Sequence, residues 1–198
     1  MGWNSFDCFG GRAREEHIEA NADYIAQHLK QHGWEYVVVD IAWYVEYDKS
    51  LLAHAISCLT YDAYSRLVPS TSAFPSSGGG KGFKPLADYV HGKGLKFGIH
   101  IMRGIPKVAA DQNMPILGTR VKAGAIADKE NLCPWWEHMY GVAPSKDGAQ
   151  QYYNSILELY AQWGVDFIKA DDMSRPFHKG EIDSVSYTHL TLPTTPYV

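Results

Sequence analysis

The sequence is poor in cysteine, and it has no long apolar run and no excess of either charge. Its three cysteines, Cys8, Cys58 and Cys133, stand far apart with no C-x-x-C pair, so neither a disulfide framework nor a zinc ribbon is signalled. The longest apolar stretches, about five residues, fall far short of the roughly 20 that a membrane-spanning helix needs. Lys and Arg number 18 against 22 Asp and Glu, a formal net charge of −4. That balance gives no electrostatic footprint for nucleic acid or for an anionic membrane, so neither is expected as a partner. A dinucleotide fold would carry G-x-G-x-x-G after a strand, and none is present. The run Gly78-Gly79-Gly80-Lys81-Gly82 is no phosphate loop: Pro75 stands where the first glycine belongs, and Gly82 where Ser or Thr should follow the lysine. No charged and apolar leader follows Met1. That leaves the compartment open between a cytoplasmic protein and a reading frame begun at an internal methionine.

What is present is a chain of 198 residues, 45% hydrophobic and 13% aromatic, sized for about one domain and for an enzyme or a ligand binder. Strand and helix alternate along it. A strand over 2–7 ends at the turn-like Cys8-Phe9-Gly10-Gly11. A helix over 15–31 follows, with Ile18, Ala22, Ile25 and Leu29 at helical spacing and Gly33 past its end. The β-branched run 36–41 reads as a strand buried on both faces. A long loop, 42–81, leads to a helix near 85–91 closed by Gly92 and Gly94, then a strand over 95–101. A second long loop, 102–146, precedes a helix over 148–162 and a fourth strand, 165–171. Such repetition predicts α/β architecture with a parallel sheet.

Polar residues gather at the predicted strand C-termini, Asp7, Asp40, His100 and Asp171, as in a (β/α)8 barrel. A full barrel takes about 250 residues and eight units. Four units are legible, so the chain reads as the N-terminal half of one. Residues 1–183 form that partial catalytic barrel. Residues 184–198 carry no Asp, Glu, Lys or Arg and keep neither period; they read as a non-native tail resembling translated adapter sequence, with an ordinary disordered tail as the alternative.

The chemistry falls on the fourth strand. Side chains alternate, so Lys169 and Asp171 share a face while Asp172 points away, as a capping or loop residue would. A lysine beside a carboxylate favours its ionised form, which suits a nucleophile; a structural ion pair at a strand end reads the same way. Asp40 with Trp43 three residues on is a common way to hold a sugar, hydroxyls to the oxygens and ring face to the indole. A helix-capping aspartate and a core tryptophan would give the same pattern. His28 and His32, four apart, resemble a metal pair without a third ligand, and a helix C-terminus favours histidine anyway. Cys133-Pro134-Trp135-Trp136 either flanks a ligand or anchors its loop, and anchoring is the preferred reading.

Four segments together resemble the α-galactosidase (melibiase) type, glycoside hydrolase family 27. They are Met1-Gly2-Trp3-Asn4-Ser5-Phe6, Val39-Asp40-Ile41-Ala42-Trp43, the run from Tyr89 to His100, and Trp163 to Asp171. The resemblance covers 2–183. It implies a retaining glycosidase on a (β/α)8 barrel, without cofactor or metal, acting on a galactose-configured oligosaccharide or glycoside. It implies Asp171 as nucleophile, Lys169, Asp40, Ile41 and His100 as substrate-binding residues, and Trp3 and Trp43 as walls of the sugar site. A secreted or periplasmic setting is also within what it implies.

Four departures stand out. Ile41 replaces the second aspartate of the family's pair, His100 its strand-end tyrosine, and Ala170 the aromatic before the nucleophile. Ala42 and Met173 replace cysteines, so the usual disulfides cannot form. Ile41 offers methyl groups where the family offers a carboxylate, which suits a sugar lacking the exocyclic hydroxymethyl group, such as β-L-arabinopyranose. The expected activity is hydrolysis of terminal α-D-galactosides. The alternatives are a β-L-arabinopyranosidase, a sugar-binding fragment without turnover, and a metal-dependent hydrolase on Asp40, His100 and Asp171. The resemblance puts the acid/base carboxyl on a later strand, past Asp183, so the chain alone is expected to be inactive.

Overall fold

The structure is a computed structural model that describes residues 1–46, 59–172 and 183–184. Residues 185–198 of the predicted tail, Met173 and Cys58 all lie outside the described residues. The chain divides into two compact units: the first comprises Met1–Asp62, Leu67–Met102 and Tyr160–Asp171, the second Ala63–Arg66, Arg103–Leu159 and Asp172–Val198.

The first unit holds a four-stranded sheet of β1 (Gly2–Asn4), β2 (Tyr36–Val39), β3 (Lys96–Met102) and β7 (Phe167–Asp171), ordered as in the chain and parallel throughout. Parallel pairing demands a crossover between neighbours, and helices supply it. Between β1 and β2 run α1 (Phe6–Phe9) and α2 (Glu15–Tyr24), the latter burying Ile18 and Ala22 as its spacing predicts. The predicted long helix does not stay regular: it widens into a π turn over Ile25–Leu29 and tightens into a 3-10 turn over Lys30–His32. Gly33 ends it at φ 84°, a left-handed conformation that glycine adopts without the clash a Cβ would cause. Helix α3 (Lys84–Gly92) leads into β3 and buries Leu86, Ala87 and Val90.

Strand ends are corrected by two or three residues. β1 stops at Asn4, so Asp7 lies in the first turn of α1 and not at a strand end. β2 stops at Val39, and Asp40 and Ile41 begin the turn beyond it. The core is aromatic. Trp43 packs edge-on against Phe83 (ring centroids 5.2 Å apart) and Tyr160 (5.9 Å), and Phe83 against Phe97 (5.5 Å) and Trp163 (5.9 Å). Each such ring contributes about 1.5–3 kcal/mol by leaving water. The glycine run, predicted as a flexible loop, has a packed end: Gly82, at φ +57°, touches Trp163 so closely that a Cβ would fall 2.0 Å from its Cε2. At the sheet's lower edge Asp166 ties two elements together, accepting from the Phe97 N–H at 2.8 Å and the His91 ring at 2.7 Å.

The second unit corrects the predicted 102–146 loop. It contains an antiparallel sheet ordered β4 (Ile105–Pro106), β6 (Met139–Val142), β5 (Ala127–Leu132), with α4 (Lys107–Asp111) and α5 (Ala123–Ile126) between β4 and β5. Helix α6 (Ala149–Gln162) follows, its last turn belonging to the first unit. Here Arg103 and Asp172 form an internal ion pair: Arg103 Nε donates to both the Asp172 carbonyl and Oδ2, each at 3.0 Å, with both side chains almost fully buried. Asp172 is therefore a loop residue just past β7, as one of its two readings had it, and an ion-pair partner besides. Cys133 is buried, Trp135 is exposed, and Trp136 packs edge-on against His138 at 4.8 Å within the same loop. His28 packs on Tyr24, ring centroids 4.7 Å apart. No helix among the described residues is long and apolar enough to cross a membrane.

Candidate active site at the strand ends

Parallel pairing sets the C-terminal ends of β1, β2, β3 and β7 side by side, and polar side chains project from each. The register pairs Val39 with Ile99 and His100 with Lys169, which lines up Asp40, His100 and Lys169 across three strands. Lys169 reaches over His100 to place Nζ 2.8 Å from Asp40 Oδ2. Asn4 Nδ2 donates to the same oxygen at 2.6 Å, and the Ile41 N–H donates to Oδ1 at 2.7 Å. The Asp40 N–H is itself held by Ser5 Oγ at 2.9 Å.

Burial alone would raise the Asp40 pKa. The hydrogen bonds from Lys169, the Ile41 N–H and Asn4, with the nearby His100, outweigh it and hold the carboxyl below the ordinary aspartate value. Asp40 is thus a fixed, ionised acceptor. It is a poor proton donor.

His100 is fully buried. Its Nε2 lies 3.1 Å from Asp171 Oδ2, and its Nδ1 has no hydrogen-bond partner among the described residues. Burial pushes the imidazole below the usual histidine value, against the pull of Asp40 and Asp171, and Lys169 adds to the lowering. Asp171 keeps 39% of its side chain exposed, so an oxygen remains reachable from solvent.

Of the sequence-predicted residues, the structure brings together Asp40, His100, Lys169 and Asp171, with Ile41 bound through its backbone to the Asp40 carboxylate. One pairing differs from expectation: Lys169 is hydrogen-bonded to Asp40, while Asp171 has His100 for its partner. Trp43 is corrected. Its ring is 2% exposed within the aromatic core, and its indole Nε1 donates to the His100 carbonyl at 2.7 Å. It supports the site from below and offers no open ring face. Trp3 is half-buried, edge-on to Phe9 at 6.3 Å, and lines a groove of about 440 Å³ with Tyr36, Val38 and Phe167. That groove runs from the first residues of β1, β2 and β7 to Asn4, whose side chain donates to Asp40, and none of Asp40, His100, Lys169 and Asp171 lines it. Sequence reasoning missed Asn4 and Ser5; the polar pair at the end of a short strand was the available signal.

A parallel sheet whose strands follow chain order, with polar residues at their C-termini, is that of a partial (β/α)8 barrel. Comparisons with known proteins agree. No family profile matches the chain. It is 54% identical to a family 27 β-L-arabinopyranosidase from Geobacillus stearothermophilus, solved with arabinose, over 95% of this chain and 44% of that one, with a TM-score of 0.90. A Bacillus halodurans protein described as a candidate α-N-acetylgalactosaminidase is 51% identical over 96% of this chain and 45% of that one, TM-score 0.92. Among curated relatives, α-galactosidase A of Cellvibrio japonicus is 30% identical over 86% of this chain and 29% of its own length. The chain thus spans under half of the solved relatives and under a third of that curated one. By sequence and fold it is similar to the α-galactosidase type, glycoside hydrolase family 27, over four strands of that barrel.

Proposed function

We propose that the full-length protein carrying this chain is a retaining exo-glycosidase that releases a terminal galactose-configured sugar. One observation carries the reading: an exposed carboxylate, Asp171, and a charged acceptor–donor pair, Asp40 with Lys169, converge at the C-terminal ends of adjacent parallel strands. Asp171 is the nucleophile. A carboxylate oxygen of Asp171 bonds to the anomeric carbon as the glycosidic C–O bond breaks, and the leaving oxygen takes a proton from a second carboxyl. Water then attacks the glycosyl-enzyme, and that carboxyl, now the base, takes the water's proton. Asp40 does not supply this second group, since three donors hold it ionised. Asp172 does not either, being committed to Arg103. Asp40 and Lys169 hold the sugar hydroxyls, one accepting and one donating.

α-D-Galactosides and β-L-arabinopyranosides share ring configuration and differ in the exocyclic hydroxymethyl group. Ile41 supports the second substrate, because a methyl-lined edge gives no acceptor to that hydroxyl. The similarity to the Geobacillus arabinopyranosidase supports it as well. The test is steady-state hydrolysis of aryl α-D-galactopyranoside and aryl β-L-arabinopyranoside by the full-length protein, with and without chelator. Turnover of either, insensitive to chelator, is expected. Turnover of neither overturns the reading, and loss with chelator favours the metal alternative.

A further inference from the structure

We propose that His100 is the positioning residue of the nucleophile, a neutral Nε2–H donor that orients the Asp171 carboxylate for attack. The proposal rests on the glycosidase reading above and adds a role to a residue placed there only as a sugar contact. The contact role does not suit the geometry, because the His100 side chain is fully buried. What it touches is the carboxylate, at 3.1 Å.

The surroundings fix both place and charge state. The Trp43 indole holds the His100 carbonyl at 2.7 Å, so the ring has a rigid base. The Lys169–Asp40 pair spans it from β7 to the end of β2. The charged groups facing the ring are therefore Asp40 from the β2 side and Lys169 and Asp171 from β7, and burial outweighs the two carboxylates in keeping the ring neutral. With Asp171 ionised for attack, the shared proton lies on Nε2, and Nδ1 is a bare acceptor with no partner among the described residues. A neutral donor orients a carboxylate without quenching it. An imidazolium in the same place would stabilise the carboxylate and weaken its attack.

Two consequences separate this role from packing. Removing the donor should lower kcat more than it raises KM, because orientation matters at the reacting atom. Protonating His100 should slow the reaction, so this residue contributes to the acid limb of the pH profile.

The experiment uses the full-length protein, H100A and H100Q, with near-UV circular dichroism to confirm folding. kcat and KM are measured across pH on whichever aryl glycoside the wild type hydrolyses. H100A should lose kcat about 100-fold with KM within about threefold, the scale of one lost donor at a charge-developing centre. H100Q keeps an N–H donor and cannot ionise, so it should retain kcat within about tenfold while its acid limb moves to lower pH. A folded H100A with unchanged kcat overturns the proposal. So does a KM-only defect, which would mark a sugar contact, an unmoved acid limb in H100Q, or loss of fold in both variants. A wild type that hydrolyses neither glycoside overturns the glycosidase reading itself, a failure seen before any variant is assayed.

Discussion

Lys169 stretches from β7 across the width of β3 to meet Asp40, placing Nζ 2.8 Å from Oδ2 above a buried histidine. The pair couples β7 to the end of β2 at the level where the sugar is proposed to sit. Replacing Lys169 by Met leaves Asp40 with only Asn4 and the Ile41 N–H. The expected cost is about 1–2 kcal/mol, softened by the 41% exposure of the lysine side chain. Urea unfolding of K169M, D40N and the double variant reads it directly. Single costs that sum to the double within about 0.3 kcal/mol would show that the two residues do not interact.

Asp171→Asn removes the attacking oxygen and keeps the shape of the pocket. Turnover by the full-length protein should fall by at least about a thousandfold while the affinity for free sugar changes little. Activity within tenfold of wild type would exclude Asp171 as nucleophile.

Ile41 is 8% exposed and its N–H caps the Asp40 carboxylate. Substituting aspartate there adds an acceptor that needs hydroxyl donors, so the ratio of kcat/KM for α-D-galactoside over β-L-arabinopyranoside should rise about tenfold or more. An unchanged ratio means position 41 does not read the outer edge of the sugar.

The buried, neutral His100 predicts a pH dependence of stability. Unfolded histidine takes a proton near pH 6.5, while burial holds the native ring below that value. The unfolded state therefore binds more protons as pH falls below about 6.5, and stability declines until the native ring protonates too. Asp40, whose native pKa is lowered, contributes a separate loss at lower pH, as it is protonated. His138, also lowered by burial and then by Lys107, acts in the same direction as His100. The urea midpoint should drop between pH 7 and 5, and drop less in H100Q. Equal slopes in the two proteins would remove His100 from the account.

In the second unit, Arg103→Met strands the Asp172 carboxylate, whose side chain is 1% exposed. Losing one member of a buried pair costs about 3–5 kcal/mol, so the thermal midpoint should fall by several degrees. A shift within error would place Asp172 in contact with water.

The parallel sheet was legible because β2 carries the apolar run of a strand buried on both faces and because strands and helices alternate along the chain. The small antiparallel sheet was not. Its strand Ala127–Leu132 reads Ala-Asp-Lys-Glu-Asn-Leu, mostly half-buried or exposed, so no alternation marks it, and β4 is two residues long and includes Pro106. The π turn at Ile25–Leu29 left no trace either, since its residues suit an ordinary helix equally well. Within the site, residue types and strand ends were readable, which placed Asp40, His100, Lys169 and Asp171. Partners were not, because Lys169 chooses Asp40 through a three-strand register that no local pattern encodes. Trp43 shows the same limit: an indole three residues past a carboxylate fits a sugar wall or a core, and the turn through Ala42 at φ 70° settles it.

The order of the first sheet, β1-β2-β3-β7, repeats the order of the strands in the chain. A polypeptide leaving the ribosome N-terminus first therefore presents each new strand with a neighbour that has already been made. β2 can dock on β1, β3 on β2 and β7 on β3 without waiting for downstream sequence. The carboxylate of Asp40 is synthesised long before its lysine, so during translation Asn4 and the Ile41 amide are the donors already present to satisfy it. Of the four strands described, the latest to emerge delivers both Lys169 and Asp171, so the polar cluster is complete only once that strand has docked.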